Sequence, residues 1–502
     1  MKRRLFSAMA LFALALQPTQ AKVTLNSIWG DGMVLQRNAD VIFSGKSDGA
    51  SVTITTTWSG KTKYKAAVTN GEWSVKIPTA EASVDHTITF NDGDKLTLTN
   101  VLLGDVWILM GQSNMQMPMS GFGFRGNNIA GSHLKNQHVE GSAQVITRAK
   151  ASQPIRLYTI DYNPQNTPQE SVGGRWECNT PEAVHSFSAV GYFFGQEIQQ
   201  ALDVPIGLLS VNRGSSSIET WMSREWLEGI DGIDFSALDK EELPQKVVSQ
   251  PCYLYNGMVA PLKDISITGA LWYQGESNHK KFEQYLELFP AFVAGLRDHF
   301  DSGEFPFYYA QLAPYIAPYI GNGADKYDVV LMREAMVKLM DLTPRTGMIT
   351  LTDIGEERVI HPRYKREVGE RFALWALCDT YGVENVHCRV PEYASMEVAV
   401  DNEVKQKGIA LKFDHALTGI HFKERNKTST QFEIAGEDRV FYPADVKFYA
   451  KNGASLWVWS EDVPEPVAVR YAFKNYAEGD VYNAFGLPLS SFRTDDWELP
   501  RF

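Results

Sequence analysis

The sequence predicts an α/β protein in which a parallel sheet covered by helices is flanked by two β-rich regions. Its length of 502 residues exceeds the roughly 250 to 300 residues at which a single core usually divides, so two or three domains are expected. Short alternating runs fill both ends of the chain, whereas continuous apolar runs and stretches of helical period alternate in its middle. We predict domains over residues 22–103, 104–382 and 383–502, after a leader over residues 1–21.

The first predicted domain, residues 22–103, is expected to be a small β-sandwich. Residues 51–57 and 64–69 alternate apolar and polar side chains in the manner of half-buried strands. Asn70 and Gly71 then lead into another alternating run, and Asn-Gly between two such runs is the strongest short signal for a hairpin. Strands joined by tight turns are therefore expected in this region.

A Gly-x-Ser-x-Gly string at residues 45–49 has the spacing of the nucleophile elbow of α/β hydrolases. That motif requires a strand before the serine and a helix after it. Here the string lies between residues 41–43 and 51–54, which are both predicted strands. We therefore assign Ser47 to a hairpin turn and not to catalysis.

The second predicted domain, residues 104–382, shows the alternation of buried strands and helices that is typical of a covered parallel sheet. The candidate strands are residues 106–110, 206–211, 267–273, 307–311 and 348–352. The candidate helices are residues 189–202, 282–300, 329–342 and 363–378. In such sheets ligands bind beyond the carboxyl ends of the strands, so the loops after these strands are the places to search for a site.

The third predicted domain, residues 383–502, returns to short strand-like runs and is expected to be a second β domain. The runs cover residues 409–413, 431–435, 455–460 and 467–473. Since no internal repeat or low-complexity linker separates the three parts of the sequence, we expect them to pack against one another.

The composition disfavours several classes of partner and site. The formal net charge of -12 disfavours nucleic acids and anionic membrane surfaces, because both require clustered Lys and Arg. The four cysteines are too few for a disulfide scaffold and form no Cys-x-x-Cys pair, so a structural zinc site is not expected. For Cys178, Cys252, Cys378 and Cys388 the alternatives are one or two disulfides or buried free thiols.

Residues 1–21 have the organisation of a secretory signal peptide. Three basic residues at positions 2–4 precede an apolar stretch over residues 5–16, and small residues follow up to Ala21. The apolar stretch is short for a bilayer span, and no other segment approaches the ~20 apolar residues of a transmembrane helix. We expect an exported protein, periplasmic or extracellular, without membrane insertion.

Loops after three predicted strands carry polar residues suited to acyl transfer, which requires a hydroxyl nucleophile, a base and donors for the oxygen that becomes negative. Ser113 follows the first strand and begins a candidate helix, so it is the predicted nucleophile and its N–H a predicted oxyanion donor. Gly214 or Ser215, after the second strand, offers a further donor through its backbone. Gln274 or Asn278, after the third strand, offers one through its side-chain amide.

A fourth loop supplies the candidate base. His361 precedes Pro362, a residue that suits the start of a helix, so its imidazole is expected between the last strand and the last helix. A base at this position can reach Ser113, because both would follow the carboxyl ends of strands in the same sheet.

Several longer motifs, in a consistent order, resemble those of the sialate O-acetylesterase family within the SGNH hydrolases. The matching segments cover nearly the whole mature chain and are residues 31–36, 104–107, 111–115, 187–192, 217–221, 255–258, 272–278, 360–365 and 482–488. Residues 111–115 resemble the nucleophile block of the family, and residues 360–365 its histidine block.

The resemblance implies an SGNH-type α/β/α three-layer domain with a parallel sheet, flanked by N-terminal and C-terminal β-sandwich-like domains. It also implies a serine esterase that acts on acetylated glycans through an acetyl-serine intermediate, with Ser113 and His361 as its catalytic pair and no metal or organic cofactor. Sialic acid is the expected sugar, and acetylated xylan or another plant polysaccharide is the alternative.

The third member of the triad stays open at this point. Many relatives carry an acid two or three residues before the histidine, where this chain has Val359 and Arg358. Asp353, at a strand end, is the predicted orienter of the histidine, and Glu356 or Glu357 is the alternative. A Ser–His dyad assisted by a backbone carbonyl is a further alternative to the triad. The alternative to an enzyme is a glycan-binding protein whose triad has decayed.

Overall fold

The computed structural model describes residues 22–123, 137–240, 242–316, 327–416, 419–424, 426–449 and 454–500. The predicted signal peptide, residues 1–21, lies outside the described residues. Within the described ranges no helix combines the length and apolar character needed to cross a bilayer. The four cysteines are free thiols.

The first β-rich region consists of two sheets that pack face to face. Its strands are β1 (Thr24–Leu25), β2 (Val34–Gln36), β3 (Asp40–Lys46), β4 (Ser51–Thr56), β5 (Tyr64–Ala67), β6 (Glu72–Pro78), β7 (Ser83–Asn91) and the first part of β8 (Lys95–Gly111). One sheet has the order β1-β3-β6, and the other joins β4, β5, β7 and β8. Phe43 of the first sheet and Phe90 of the second meet with ring centroids 5.7 Å apart, so inward side chains of both sheets share one core.

One of the two predicted turns is a hairpin turn, and the other is not. Asn70 (φ 55°) and Gly71 (φ 83°) are both left-handed and join β5 to β6, as expected of an Asn-Gly turn. The Gly-x-Ser-x-Gly string leads from β3 to β4, which lie in different sheets, so it connects the two sheets and is not a hairpin turn. Ser47 Oγ donates to Asp92 Oδ2 at 2.5 Å, and strand β4 follows the serine where a nucleophile elbow requires a helix.

A central sheet with helices on both faces follows. Its further strands are β9 (Ile155–Thr159), β10 (Trp176–Cys178), β11 (Ile206–Asn212), β12 (Gly269–Tyr273), β13 (Phe307–Ala310) and β14 (Thr346–Ile349). The helices are α1 (Ser113–Gln116), α2 (Ser142–Arg148), α3 (Pro181–Ser186), α4 (Ala189–Leu202), α5 (Arg224–Leu227), α6 (Phe282–Phe300), α7 (Asp328–Leu342) and α8 (Lys365–Trp375). Short 3₁₀ or π turns cover Ile218–Trp221, Val247–Ser249, Tyr255–Val259, Ala260–Leu262, His279–Lys281 and Ala376–Thr380.

The central sheet is mostly parallel. Its strand order is β10-β9-β11-β8-β12-β13-β14, and the neighbours from β9 to β14 run parallel. Trp107 and Leu109 of β8 face the core that contains α4 and α8, whereas Ile108 and Met110 face the core that contains α6 and α7. This mixed α/β architecture confirms the predicted fold class at that level.

Strand β8 joins the first region to the central sheet without a break. Its segment from Lys95 to Leu103 pairs with β7, and its continuation to Gly111 pairs with β11 and β12. The predicted boundary between residues 103 and 104 therefore lies within one strand. Because ladder hydrogen bonds hold this strand on both sides of that boundary, the two regions are rigidly connected.

The topology marks the carboxyl end of β8 as the place for a site. The chain goes from β8 to β9 on one side of the sheet and later crosses to β12 on the other, and ligands of open parallel sheets bind at such switch points. Gly111 of β8 is in register with Asn212 of β11 and Tyr273 of β12. The loops after these three strands thus begin at the same height.

The C-terminal region is rich in β structure and packs on the central sheet. Its strands are β15 (Glu392–Val400), β16 (Lys407–Asp414), β17 (Ile420–Phe422), β18 (Phe432–Ala435), β19 (Phe441–Pro443), β20 (Asp445–Phe448), β21 (Ser455–Trp459), β22 (Ala468–Tyr471), β23 (Val481–Asn483) and β24 (Phe492–Arg493). The Asn475 side chain accepts the N–H of Val329 at 3.0 Å, and Gln311 donates to Ser490 Oγ at 2.8 Å. These buried contacts anchor the region beside β13 and α7.

Candidate active site

Ser113 lies at the rim of the sheet, as the first residue of α1. Gly111 ends β8 with a φ of 140°, and a Cβ atom added to it would lie 2.2 Å from the carbonyl oxygen of Tyr273. This close approach requires glycine. The N–H of Gln112 donates to the same carbonyl at 3.0 Å, so the turn that carries Ser113 is fixed to β12.

The hydroxyl of Ser113 meets the imidazole of His361. The Oγ to Nε2 distance is 2.8 Å, across 248 positions of sequence. His361 lies in the loop between β14 and α8. At this distance Nε2 can accept the serine proton directly, without an intervening water. The structure thus brings together the two residues that the sequence predicts as nucleophile and base.

The other imidazole nitrogen faces a side-chain amide. Nδ1 of His361 lies 2.8 Å from Oε1 of Gln137. When Nδ1 carries the proton and donates it to this oxygen, Nε2 keeps the lone pair that Ser113 needs. The ring of Phe122 lies edge-on to the imidazole, with centroids 5.0 Å apart. Gln137 was not predicted from the sequence, because an acid close to the histidine was expected in this role.

Two of the predicted orienters of His361, Asp353 and Glu356, have other partners. Asp353 forms a two-pronged ion pair with Arg371, at 2.8 and 2.6 Å. Glu356 accepts the backbone N–H of Arg363 at 3.1 Å. These contacts correct the prediction for Asp353, because Arg371 on the following helix takes its carboxylate. The Glu357 side chain lines a cavity beside the histidine loop.

A buried polar network lies behind the Ser113–His361 pair. The side-chain amide of Asn114 donates to the carbonyl of Ile360 at 3.0 Å and to the carboxylate of Glu276. Lys365 Nζ donates to Asn114 Oδ1 at 2.5 Å. Because Asn114 follows Ser113 and Ile360 precedes His361, this one side chain joins the backbone segments that carry both groups.

Burial shifts the ionisation of this network. Desolvation lowers the pKa of Lys365 from 10.5 to about 7, against the opposing attraction of Glu276. Desolvation also raises the pKa of Glu276, which the hydrogen bond from Asn114 and the charge of Lys365 oppose. Each charge is therefore costly alone and is partly compensated by the other.

Backbone N–H groups near Ser113 can hold a negative oxygen. Those of Ser113 and Asn114 lie in the first turn of α1 and have no acceptor among the described residues. Gly214 lies beside the nucleophile, since a Cβ added to it would be 3.5 Å from Cβ of Ser113. Its N–H donates to Oε1 of Gln116 at 2.7 Å. Ser215 follows with a φ of 62°.

The amides of Gln274 and Asn278 brace two loops. Gln274 donates to the carbonyl of Ser216 at 3.0 Å and to Oδ1 of Asn278 at 2.7 Å. Asn278 donates to Glu219 Oε2 at 2.9 Å and accepts the N–H of Ile218 at 3.0 Å. Both N–H groups of Gln274 are therefore used to hold the loop after β11 against the loop after β12, which corrects its prediction as an oxyanion donor. Asn278 uses one N–H group in the same way, and its role as an oxyanion donor stays a prediction.

A cavity of about 500 Å³ lies on the far side of the histidine loop, between that loop and the C-terminal β region. Tyrosines and carboxylates line it, among them Tyr364, Tyr476, Tyr482, Glu356, Glu357 and Glu367. Within the described ranges, no cluster of three His, Cys, Asp or Glu side chains is arranged to hold a metal ion.

Comparison with known proteins relates the chain to carbohydrate esterases. Residues 103–374, more than half of the chain, match the family described as carbohydrate esterase, sialic acid-specific acetylesterase. The sialate O-acetylesterase of Rattus norvegicus is 26% identical over 467 residues, which cover 80% of each chain. The sialate O-acetylesterase of Homo sapiens is 26% identical over 393 residues, which cover 70% of each.

A solved structure extends the similarity to almost the whole chain. The crystal structure of a carbohydrate acetylesterase from Xanthomonas citri superposes with a TM-score of 0.80 at 29% sequence identity. The match covers 95% of this chain and 100% of that one. Both flanking β-rich regions therefore have counterparts in that protein.

Proposed function

Because the chain belongs to the carbohydrate esterase family of sialic acid-specific acetylesterases, and is therefore an ester hydrolase, we propose that it removes O-acetyl groups from sialic acid or a related glycan through an acetyl-serine intermediate. The observation that carries this proposal is the 2.8 Å contact between Ser113 Oγ and His361 Nε2. A hydroxyl and an imidazole at this distance form the nucleophile and base that acyl transfer requires.

In the first half-reaction His361 takes the proton of Ser113 as Oγ attacks the acetyl carbonyl. The tetrahedral intermediate then expels the sugar hydroxyl, to which His361 returns the proton, and acetyl-serine remains. In the second half-reaction His361 deprotonates a water that attacks the acetyl carbonyl. Acetate leaves and Ser113 regains its proton, so the two steps together consume one water.

The negative oxygen of each intermediate needs donors fixed in advance. The N–H groups of Ser113 and Asn114 meet this need, because the first turn of α1 leaves them without acceptors among the described residues. The N–H of Gly214 joins them when the oxyanion displaces the Gln116 side chain that it now contacts. Such a donor is commonly worth about 10²- to 10³-fold in rate.

Gln137 acts as the orienter of the base in this proposal. Its Oε1, 2.8 Å from Nδ1 of His361, selects the tautomer that leaves Nε2 free to accept a proton. An amide carries no charge, so it stabilises the imidazolium less than a carboxylate does. The proposed triad is therefore Ser113, His361 and Gln137.

The test is acetate release from a chromogenic acetate ester and from O-acetylated sialic acid. Ser113→Ala and His361→Ala should each lower kcat by at least about 10³-fold without loss of folded structure by circular dichroism. A Ser47→Ala control, in the other serine with a hydrolase-like motif, should retain full activity. Full turnover by Ser113→Ala would refute the proposal.

A second candidate substrate class is a neutral acetylated polysaccharide such as xylan. The observation that favours it is the similarity over 95% of the chain to a protein described broadly as a carbohydrate acetylesterase. Parallel acetate release assays on acetylated xylan and O-acetylated sialic acid separate the two classes. Retention of glycan without any acetate release would instead indicate a binding protein with a decayed site.

A further inference from the structure

A cation stacked on an exposed ring lies in the loop after β11, next to Gly214, which lies beside Ser113. Arg213 follows the last residue of β11, and its backbone N–H donates to the carbonyl of Gly111 at 3.1 Å. Its guanidinium carbon lies 3.8 Å from the centre of the Tyr162 ring. Tyr162, just after β9, is 41% exposed. The ring holds the guanidinium in place while leaving its N–H donors open to a ligand.

The charge of Arg213 has no acidic partner, in contrast to that of the arginine beside His361. None of the carboxylates that the structure describes forms an ion pair with Arg213. Arg363, two residues after the histidine, lies 3.9 Å from both Glu140 and Glu356. An anionic group that binds beside Ser113 therefore finds at Arg213 a cation that no carboxylate of the described residues compensates.

The carboxylates near the histidine belong to another cavity. Glu356, Glu357 and Glu367 line the cavity on the far side of the histidine loop. On the β11 side of Ser113, Arg213 attracts a ligand carboxylate. An anionic sugar bound there therefore has its carboxylate toward β9 and β11.

The strand order gives the approximate distance between Tyr162 and Ser113, and so the length of a sugar that can reach from one to the other. Tyr162 follows β9, which is separated by β11 from β8, the strand that leads to Ser113. Two strand spacings amount to about 10 Å. A sugar acid of that length spans the gap when its acetyl ester is on the side chain remote from the carboxylate.

We propose that Arg213, held on the Tyr162 ring, is the carboxylate-binding subsite for an anionic acetylated sugar whose ester lies at the end remote from its carboxylate. The inference rests on the proposed esterase function and names the residue that selects sugar acids over neutral glycans. A planar guanidinium suits this role because it binds a carboxylate with two parallel N–H donors.

The test uses sialic acid that carries an O-acetyl group on its glycerol side chain, and the same sugar with its carboxylate converted to a carboxamide. Wild-type protein should hydrolyse the acid with a kcat/KM about 10- to 100-fold higher than the carboxamide, the range expected for a charge-assisted hydrogen-bonded pair. Added salt should reduce this preference. Equal kcat/KM for both sugars in the wild type would overturn the proposal without use of any variant.

Arg213→Gln should lose that preference through a higher KM for the acid, so that the acid and the carboxamide are hydrolysed with nearly equal kcat/KM. Arg213→Lys should retain part of the preference, since it keeps the charge and loses the planar pair of donors. Arg224→Gln is the matched control, because Arg224 also stacks on a ring, 4.5 Å from the centre of Phe235, and should leave both sugars unchanged.

The outcomes separate this inference from the proposed function. If Arg213→Gln slows the acid and the carboxamide equally, Arg213 has a structural role and the inference is wrong, while the esterase proposal stands. If Ser113→Ala hydrolyses both sugars at the wild-type rate, the esterase proposal itself is wrong. A loss confined to the acid supports both.

Discussion

Lys365 Nζ lies 2.5 Å from Oδ1 of Asn114, so a lysine at the start of α8 donates to the residue after the proposed nucleophile. Both side chains are buried. Asn114 in turn donates to Ile360, the residue before His361. The relative position of Ser113 and His361 therefore depends on a network that contacts neither reacting atom, and Lys365 is a positioning residue.

Lys365→Met should lower kcat and also change how stability depends on pH. The pKa of Lys365 is lowered by burial from 10.5 to about 7. Between these values the unfolded chain keeps a proton that the folded protein has released, so the free energy of unfolding from this group rises with pH across that window. Below pH 7 both states are protonated and this slope vanishes.

Urea unfolding at pH 7 and pH 9 measures this effect. The wild-type free energy of unfolding, relative to Lys365→Met, should grow by at most about 1.4 kcal/mol per pH unit. Lys338→Met is the control, since Lys338 has an exposed side chain on α7. If the free energy of unfolding of the wild type relative to Lys365→Met stays constant with pH, this lysine does not titrate in the window.

Asp353→Asn should destabilise the protein much more than it slows catalysis. Its carboxylate pairs with Arg371, and the two side chains are only 7% and 11% exposed. Loss of one partner leaves a buried charge uncompensated, at a cost of roughly 3 kcal/mol. Thermal unfolding and kcat of the folded fraction measure the two effects. The control is Glu357→Gln, in the same loop, which should change neither the melting temperature nor kcat by much. A large loss of kcat in Asp353→Asn at full stability would restore Asp353 as the orienter of His361.

The sequence predicted the elements whose signals are local. Helices α4 and α6 occupy the predicted ranges because their apolar period is uninterrupted from cap to cap. Ser113 and His361 were found because parallel strands bring their following loops to one edge. The contact of Gln137 with His361 had no sequence signal, since it joins two loops that are distant in the chain.

Strand β8 crosses the predicted domain boundary between residues 103 and 104 without a break. The strand continues through Gly104 and Asp105. Asp105 is buried, yet it pairs with Arg37 at 2.8 Å and accepts the hydroxyl of Tyr381 at 3.0 Å. These partners come from distant segments of the chain. Their hydrogen bonds compensate the cost of burying the Asp105 carboxylate within a strand.

Ser215→Gly should stabilise the fold. Ser215 has a φ of 62°, a left-handed conformation that costs a residue with a Cβ atom about 1 kcal/mol and costs glycine almost nothing. The side chain is exposed, so its removal forfeits little packing. The free energy of unfolding should increase by up to about 1 kcal/mol. Ser215→Ala, which keeps the Cβ atom, should give no such gain; equal effects of the two variants would rule out relief of backbone strain.

Gln137→Glu should shift the pH dependence of hydrolysis, because it replaces a neutral acceptor of the Nδ1 proton with a charged one. Gln137 Oε1 lies 2.8 Å from that nitrogen, and a carboxylate at this distance stabilises the imidazolium over the neutral ring. More alkaline solution is then needed to obtain the neutral base, so the acidic limb of the kcat/KM profile should move to higher pH. Gln137→Ala should instead lower kcat about tenfold, because one orienting hydrogen bond is lost, and should leave the acidic limb of the profile nearly unmoved. The measurement is kcat/KM for a chromogenic acetate ester from pH 5 to 9, and an unmoved acidic limb in Gln137→Glu would mean that Gln137 does not contact the base during turnover.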